Sequence, residues 1–231
     1  GSVRVLRFDD TGQLAESHLF AEGLSFPTSI ACLGEGIVVA AKDLIYLADT
    51  DGDHRADLRQ VLVKGFDQGV TDSNFSGLRW GLDNHLHGVN GGNDGDLVTP
   101  WHMSSALSLE DADFAWHPTR HTLERTYHTG GGFGLIIDDW GRSFTPHNIN
   151  HMLQRILPVR AMERFNGFPM VEATVSISDH GDMARIYPVS AAETRVNHPE
   201  QAGFFSSSGG MGLIPSTFAS DVPGLGVLVC D

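Results

Sequence analysis

The stretch Gly77-Leu-Arg-Trp-Gly-Leu-Asp-Asn84-His-Leu-His-Gly88 reads as a short apolar strand, a polar turn at Asn84 and a second short strand. The same pattern recurs at Ser29-Ile-Ala-Cys-Leu-Gly-Glu-Gly36-Ile-Val-Val-Ala40 and at Gly134-Leu-Ile-Ile-Asp-Asp-Trp-Gly141-Arg-Ser-Phe-Thr145. Its turn residues Gly36, Asn84 and Gly141 stand 48 and 57 residues apart. A weaker fourth copy runs from Gly212-Leu-Ile-Pro215 through Gly226-Val-Leu-Val-Cys230. Repeats of this length have room for four strands, the unit of a β-propeller, in which each blade covers its neighbour's exposed face. Helical periodicity is nearly absent; only Met152 to Phe165 has room for a helical turn, which Pro158 should interrupt. The expected fold is all-β, a β-propeller of four to six blades with five as the central expectation, built as a single domain over residues 1–231.

Working outward, Val3-Arg-Val-Leu-Arg-Phe8, Asp9-Asp-Thr-Gly12 and the run from Leu14 to Phe20 supply two strands without inner partners. The end at Leu228-Val-Cys-Asp231 supplies inner strands without outer ones. Pairing of the two ends would close the ring and remove its open edges; the competing reading is a piece trimmed from a larger propeller. Residues 167–208 fit the repeat poorly and read as a degenerate blade or a loop insertion over one face.

The acidic balance, a formal charge of −14, argues against nucleic acid and anionic membranes as partners and suits a calcium-binding, secreted domain. No run of 18 apolar residues occurs, so membrane insertion is not expected. Gly1-Ser2 reads as the scar of a cleaved tag, which leaves room for a removed leader and a periplasmic or extracellular location. Cys32 and Cys230 either bridge early and late strands or remain two buried thiols. No CxxCH motif is present, so this chain is not expected to attach a c-type haem.

The stretch Asp49-Thr50-Asp51-Gly52-Asp53-His54-Arg55-Ala56-Asp57 sets carboxylates at relative positions 1, 3, 5 and 9, with a backbone carbonyl near Arg55 to fill a gap. Calcium takes oxygen ligands in such numbers, and zinc does not. An EF-hand would need Gly and Glu where His54 and Gln60 stand, and short strands rather than helices flank the loop. The metal-site expectation is therefore calcium held by Asp49, Asp51, Asp53, Arg55 and Asp57 in a structural role. The plainer alternative is an acidic Asp-Gly turn.

Asn90-Gly-Gly-Asn93-Asp-Gly-Asp96 is a polar rim loop suited to a sugar or a second cation, or else a simple turn. His85 and His87 alternate on one strand and face one way; with His180 beside Asp179 and Asp182 they suit Zn, Mn or Cu. His151, Asn148 and Asn150 crowd one short segment and, with His180 and Arg185, form the candidate catalytic set. Arg79 and Arg185 can clamp a carboxylate. Trp80 and Trp140 read as packing between blades, and Trp101 as the exposed aromatic able to stack on a sugar.

Asp49-Thr-Asp-Gly-Asp53, Gly77-Leu-Arg-Trp-Gly-Leu-Asp-Asn84, Asp113-Phe-Ala-Trp-His-Pro118, Phe133-Gly-Leu-Ile-Ile-Asp-Asp-Trp-Gly-Arg142, Asn148-Ile-Asn-His151 and Ala184-Arg-Ile-Tyr-Pro188 occur in this order. In this succession the chain resembles bacterial propellers named as membrane-bound dehydrogenases, which are distantly similar to soluble quinoprotein glucose and sorbosone dehydrogenases. The resemblance implies an extracytoplasmic propeller related to sugar or alcohol oxidoreductases, pyrroloquinoline quinone as cofactor, and a haem or helical-repeat module in the parent protein. Arg79, His87, Asn90 and Asn93 are the candidate cofactor-binding residues. The pattern departs at Thr71-Asp-Ser-Asn-Phe-Ser76, where quinoprotein sugar dehydrogenases carry a base histidine. Two other readings stand beside it: a non-catalytic module binding carbohydrate or protein, and a His-metal-dependent polysaccharide lyase or hydrolase.

Overall fold

The computed structural model describes residues 1–69, 73–128, 133–147, 150–164, 172–177, 210–214 and 226–230, the last two segments as backbone strands. The protein is built almost entirely from antiparallel β-sheet. β1 (Val3–Phe8) and β2 (Leu14–Ala21) form a hairpin. β3 (Ser29–Leu33), β4 (Gly36–Ala40), β5 (Leu44–Ala48) and β6 (Leu58–Phe66) form a meander, the first sheet. β7 (Ser76–Trp80), β8 (Leu86–Val89), β11 (Ala112–Trp116) and β12 (Leu123–His128) make the second. The intervening hairpin of β9 (Gly95–Val98) and β10 (Leu107–Ser108) crosses back to pair with β6, covering the free edge of the first sheet. β13 (Ile136–Ile137), β14 (Ser143–His147), β15 (Asn150–Arg155) and β16 (Thr174–Ser176) form the third sheet, and β17 (Gly210–Ile214) pairs with β18 (Gly226–Cys230).

The three sequence copies of the repeat become the first hairpins of the three sheets, and their leading strands lie side by side. The Thr28 hydroxyl donates to Phe75 O at 2.6 Å, Leu78 N to Ser29 Oγ at 2.9 Å, and Trp80 Nε1 to Cys32 O at 2.8 Å. These partners advance together, so β3 and β7 run parallel. Gly77 (φ 64) then abuts Gly134 and Leu135, where an added Cβ would lie 2.7 Å from Leu135 N. Gly141 faces Leu82 further along, so β13 runs parallel to β7, and β17 lies against β13 and β14. Equivalent turns therefore fall at the same end of all three sheets.

Two of those turns share one geometry. Gly81 N donates to His85 O with Asn84 left-handed (φ 62), and Asp138 N donates to Arg142 O with Gly141 at φ 76. The β1–β2 hairpin uses it too, with Asp9 N on Gln13 O and Gly12 at φ 79. A three-residue loop ending in a left-handed residue matches strand twist, which explains Gly or Asn at that position. The first copy differs: its turn is one residue shorter, with Gly34 left-handed (φ 57), while Gly36 begins β4 beneath the Tyr46 ring.

Successive residues of β4 and β5 point to opposite faces, and both faces are buried. Val38, Ala40 and Leu44 join a core shared with the second sheet, which includes Phe66 stacked on Phe75 at 3.7 Å and tilted against Phe114. Val39, Ile45 and Leu47 meet Phe20, Leu24, Val3 and Val5 of the amino-terminal segment.

The all-β expectation holds. The described sheets do not close a ring. The expected pairing of terminal strands is absent from the described ladders, where β1 pairs with β2 and β17 with β18. Pro158 starts a helix instead of breaking one: α1 (Val159–Arg164) follows it, and its carbonyl accepts from Ala161 N at 2.9 Å. Proline's fixed φ and missing N–H suit the first turn. The irregular region at 167–208 lies outside the described residues except for 172–177.

Candidate functional site

The loop at 49–57 joins β5 to β6 in the expected hairpin, with Ala48 opposite Leu58. A ladder of side-chain-to-backbone bonds shapes it. Asp49 accepts from Gly52 N at 2.7 Å and His54 N at 2.8 Å, Asp51 from Asp53 N at 3.3 Å, and Asp53 from Arg55 N at 2.8 Å. Gly52 (φ 84) and His54 (φ 68) supply the left-handed steps that turn the chain around these carboxylates. One oxygen each from Asp49, Asp51 and Asp53 falls within 4.8 Å of the others. Asp57 instead closes the base of the loop, accepting from Thr50 N at 2.7 Å and from the Thr50 hydroxyl at 2.5 Å. Burial opposes ionisation of Asp49, but its N–H bonds outweigh that and hold its pKa below the usual range. This all-oxygen donor set fits a hard cation, and each carboxylate oxygen keeps a lone pair for it. Arg55 lies in the loop with an exposed side chain.

The loop also meets the amino-terminal hairpin. Ala56 N donates to Phe20 O at 2.8 Å, the His54 ring lies 4.9 Å from that of His18, and Arg7 reaches His54 at 3.3 Å. Ordering this loop therefore orders the seam between that hairpin and the first sheet.

At the opposite end, the loop after β8 bonds largely within the protein, with Asn90 buried, Gly91 and Asn93 half-buried, and Gly92 and Asp94 exposed. Asn90 is fully buried; its N–H donates to Asp113 at 2.7 Å and its amide to Asn93 O, while its Oδ1 has no partner among the described residues. Asn93 donates to Ser73 O at 2.5 Å, tying this loop to the segment leading into β7. Behind it lies a buried ion pair that the sequence reading missed. Arg155 on β15 donates to Asp113 on β11 and to Ser143 Oγ at 2.6 and 2.9 Å, with its guanidinium 4.6 Å from the Tyr127 ring centre. The pair joins the second sheet to the third. Its only trace in sequence is a charge at Asp113 inside the apolar strand Ala112–Trp116, since ionisable groups are rarely buried without a partner.

Arg79 and His87 pair across β7 and β8 near the turn end, and Asn90 follows β8 at its other end, three residues on from His87. Arg79 donates to its own neighbour's carbonyl, Leu78 O, at 3.2 Å. Arg79 and His87 thus pair at one end of β8, and Asn90 and Asn93 bond to each other beyond its other end. Asn150 donates to Ser176 Oγ at 2.8 Å and accepts from Met152 N, and His151 is half-buried on β15 beside it. Asn148, His180 and Arg185 lie outside the described residues.

His85 and His87 do share a face. His87 Nε2 meets both Asp83 oxygens at 3.1 Å, and the His85 ring stands perpendicular to His117 at 4.8 Å. Asp83, His85 and Glu124 bring one ligand atom each within 4.8 Å. Burial lowers the pKa of His87, with Asp83 opposing it.

The tryptophans divide differently from expectation. Trp140 is 72% exposed on its turn, under the Arg142 guanidinium, because the turn carries it past the strand edge. Trp80 is at the surface with its ring nitrogen bonded to Cys32 O, and Trp116 is the buried one. Trp101 is exposed as expected, stacked on His121. Cys32 is exposed and free, contrary to a buried thiol; Cys230 is described as backbone only. No described helix is long and apolar enough to cross a membrane.

No curated protein and no solved structure matches the chain. A family model covers residues 1–231 from end to end, and the chain belongs to that family, the Domain of unknown function (DUF7133).

Proposed function

We propose that this chain is a propeller-type scaffold, working outside the cytoplasm, that binds calcium in the loop at 49–57 and a sugar or small alcohol as ligand. The observation that carries the reading is the gathering of the Asp49, Asp51 and Asp53 oxygens within 4.8 Å, in a loop whose backbone is already turned around them. The propeller architecture is supported by three successive meanders whose leading strands β3, β7 and β13 run parallel and in contact. An exposed site of this kind suits the high calcium of extracellular fluids, where modules bind at about 10⁻⁴–10⁻³ M. The ion is structural: it neutralises three clustered carboxylates and stiffens the loop that meets the amino-terminal hairpin.

The test is elemental analysis of chelator-free protein, followed by thermal melts with and without calcium. Calcium at about a hundred times its Kd adds about 2.7 kcal/mol, which raises Tm by about 5–10 °C in a domain of this size. An unchanged melt removes the calcium assignment. A stoichiometric transition metal instead moves the functional centre to Asp83, His85 and Glu124.

A second reading, sugar or alcohol oxidation, is favoured by the resemblance to membrane-bound dehydrogenases at Gly77-Leu-Arg-Trp80 and Phe133-Gly-Leu-Ile-Ile-Asp-Asp-Trp-Gly-Arg142. Substrate-dependent dye reduction after incubation with pyrroloquinoline quinone supports it, and inactivity across a sugar and alcohol panel leaves the binding function.

A further inference from the structure

In the second sheet Ala115 pairs with both His87 and Glu124, so the three side chains stand in one row on one face. His85, two residues before His87, shares that face, and the short methyl of Ala115 leaves room for the longer groups around it. Asp83 reaches the same place from the turn before β8. Asp83, His85 and Glu124 thereby bring one ligand atom each to within 4.8 Å of the other two. Asp83 and Glu124 are exposed and His85 is half-buried, so an ion reaches the cluster from solvent without displacing a wall.

The hydrogen bonds around His85 decide which of its nitrogens is left to ligate. Nδ1 lies 3.0 Å from Asp83 O, and a carbonyl can only accept, so Nδ1 carries the ring proton. In the neutral ring Nε2 is then a bare lone pair, and it faces Glu124 Oε1 at 3.9 Å. Two acceptors face each other there, too far apart to share a proton. Zinc takes imidazole nitrogen and carboxylate oxygen at about 2.0–2.2 Å, which at a tetrahedral angle sets them about 3.4 Å apart. A shift of about half an ångström in the exposed Glu124 side chain seats such an ion.

Asp83 is held from behind. It accepts from His85 N at 3.1 Å, and His87 Nε2 meets both of its oxygens at 3.1 Å, the kind of support that orients a metal-ligating carboxylate. His117 serves as a wall: its Nδ1 accepts from Thr119 N and Arg120 N at 3.3 Å, which leaves its proton on Nε2, and its ring stands perpendicular to His85.

We propose that Asp83, His85 and Glu124 form a site for one divalent transition-metal ion, with zinc as its expected occupant, separate from the loop at 49–57. Two carboxylates and a neutral imidazole match a divalent charge, and the imidazole favours zinc over calcium or magnesium. Three protein ligands leave a fourth position to water, as in reactive rather than closed structural zinc sites. The inference goes beyond the calcium reading and does not rest on it.

The test is calorimetric titration of zinc chloride into chelator-stripped full chain, with calcium held in excess so that the loop at 49–57 is already filled. Wild type should show a tight step of one zinc per chain, and cobalt(II) in its place should give the visible bands of a four- or five-coordinate ion. Glu124→Gln and His85→Ala should each weaken that step about 100-fold or more, since losing even a partner behind a ligand costs about 10–100-fold. Glu124→Gln keeps the shape of an exposed side chain and decides the matter if His85→Ala fails to fold. Asp51→Ala with Asp53→Ala should leave zinc affinity unchanged. Wild-type affinity in Glu124→Gln overturns the site and sends the ion to other histidines. Zinc affinity lost in the Asp51→Ala, Asp53→Ala variant overturns it too, placing zinc in the calcium loop. No zinc step in wild type also overturns it, leaving His85 as an imidazolium paired with two carboxylates, while the calcium-induced rise in Tm stands or falls by its own melt.

Discussion

In the loop at 49–57 three carboxylates gather on an exposed hairpin, whereas in the loop at 90–94 Asn90 is fully buried and two asparagine amides are consumed by backbone carbonyls. Both loops are short runs of Asp, Asn and Gly between strands, and both read from sequence as ligand loops. What separates them is the protein behind each one. The first protrudes from the end of a sheet, where its oxygens face water. The second is pressed against Asp113, Ser73 and the core between sheets, so its polar groups hold the fold together. Residue types specify that a chain turns; burial decides whether the turning residues have valence left for a ligand.

The contrast is tested most severely at Asp113. Asp113→Ala removes both the partner of buried Arg155 and the acceptor for Asn90 N, and should cost about 3–5 kcal/mol in urea unfolding. Asp113→Leu combined with Arg155→Met should recover most of that loss, since an apolar pair leaves no buried charge behind. A single-variant cost below about 1 kcal/mol would mean that the pair anchors nothing.

Next in size is the calcium response. Asp51→Ala with Asp53→Ala should abolish the calcium-induced rise in Tm while changing stability in chelator by no more than about 0.5 kcal/mol, as exposed side chains do. A large loss in chelator would make the loop at 49–57 a structural brace like its counterpart, and the contrast would fail. Asn93→Ala should cost about 1–3 kcal/mol irrespective of calcium, because the Ser73 carbonyl loses its donor. Equal calcium responses in Asn93→Ala and wild type would set the two loops further apart.

The smallest effect concerns pH. Burial holds the folded pKa of His87 below its ordinary value, with Asp83 opposing, and His117 and His121 shift the same way for the same first cause. Below the unfolded histidine pKa of about 6.5 the unfolded chain therefore binds more protons than the folded one, and stability falls as pH drops from there through the folded pKa values. Urea midpoints should be lower at about pH 5.5 than at about pH 7.5, and His87→Gln should flatten the difference. Midpoints that rise on acidification contradict the burial of that ring.

Much of the local structure was legible in the chain. The strand–turn–strand repeats at 29–40, 77–88 and 134–145 are the leading hairpins of three sheets, since alternating apolar runs and left-handed turn residues are set by neighbours in sequence. The acidic hairpin loop was legible for the same reason, although Asp57 closes its base instead of joining the cluster of Asp49, Asp51 and Asp53. Trp140 was misread because a shared sequence pattern does not tell whether a side chain points between sheets or beyond their edge.

An all-β chain, the places of its turns and the acidic hairpin loop all followed from residue order, because these depend on contacts within a few residues. It took the packed molecule to bring Asp113 to Arg155 across two sheets, to turn the Asn90 and Asn93 amide nitrogens onto backbone carbonyls, and to set Thr99 and His121 in one cleft. Those outcomes depend on which strands pack together and how much water they exclude. Packing sets the availability of a hydrogen-bonding group, and residue identity sets only its chemistry.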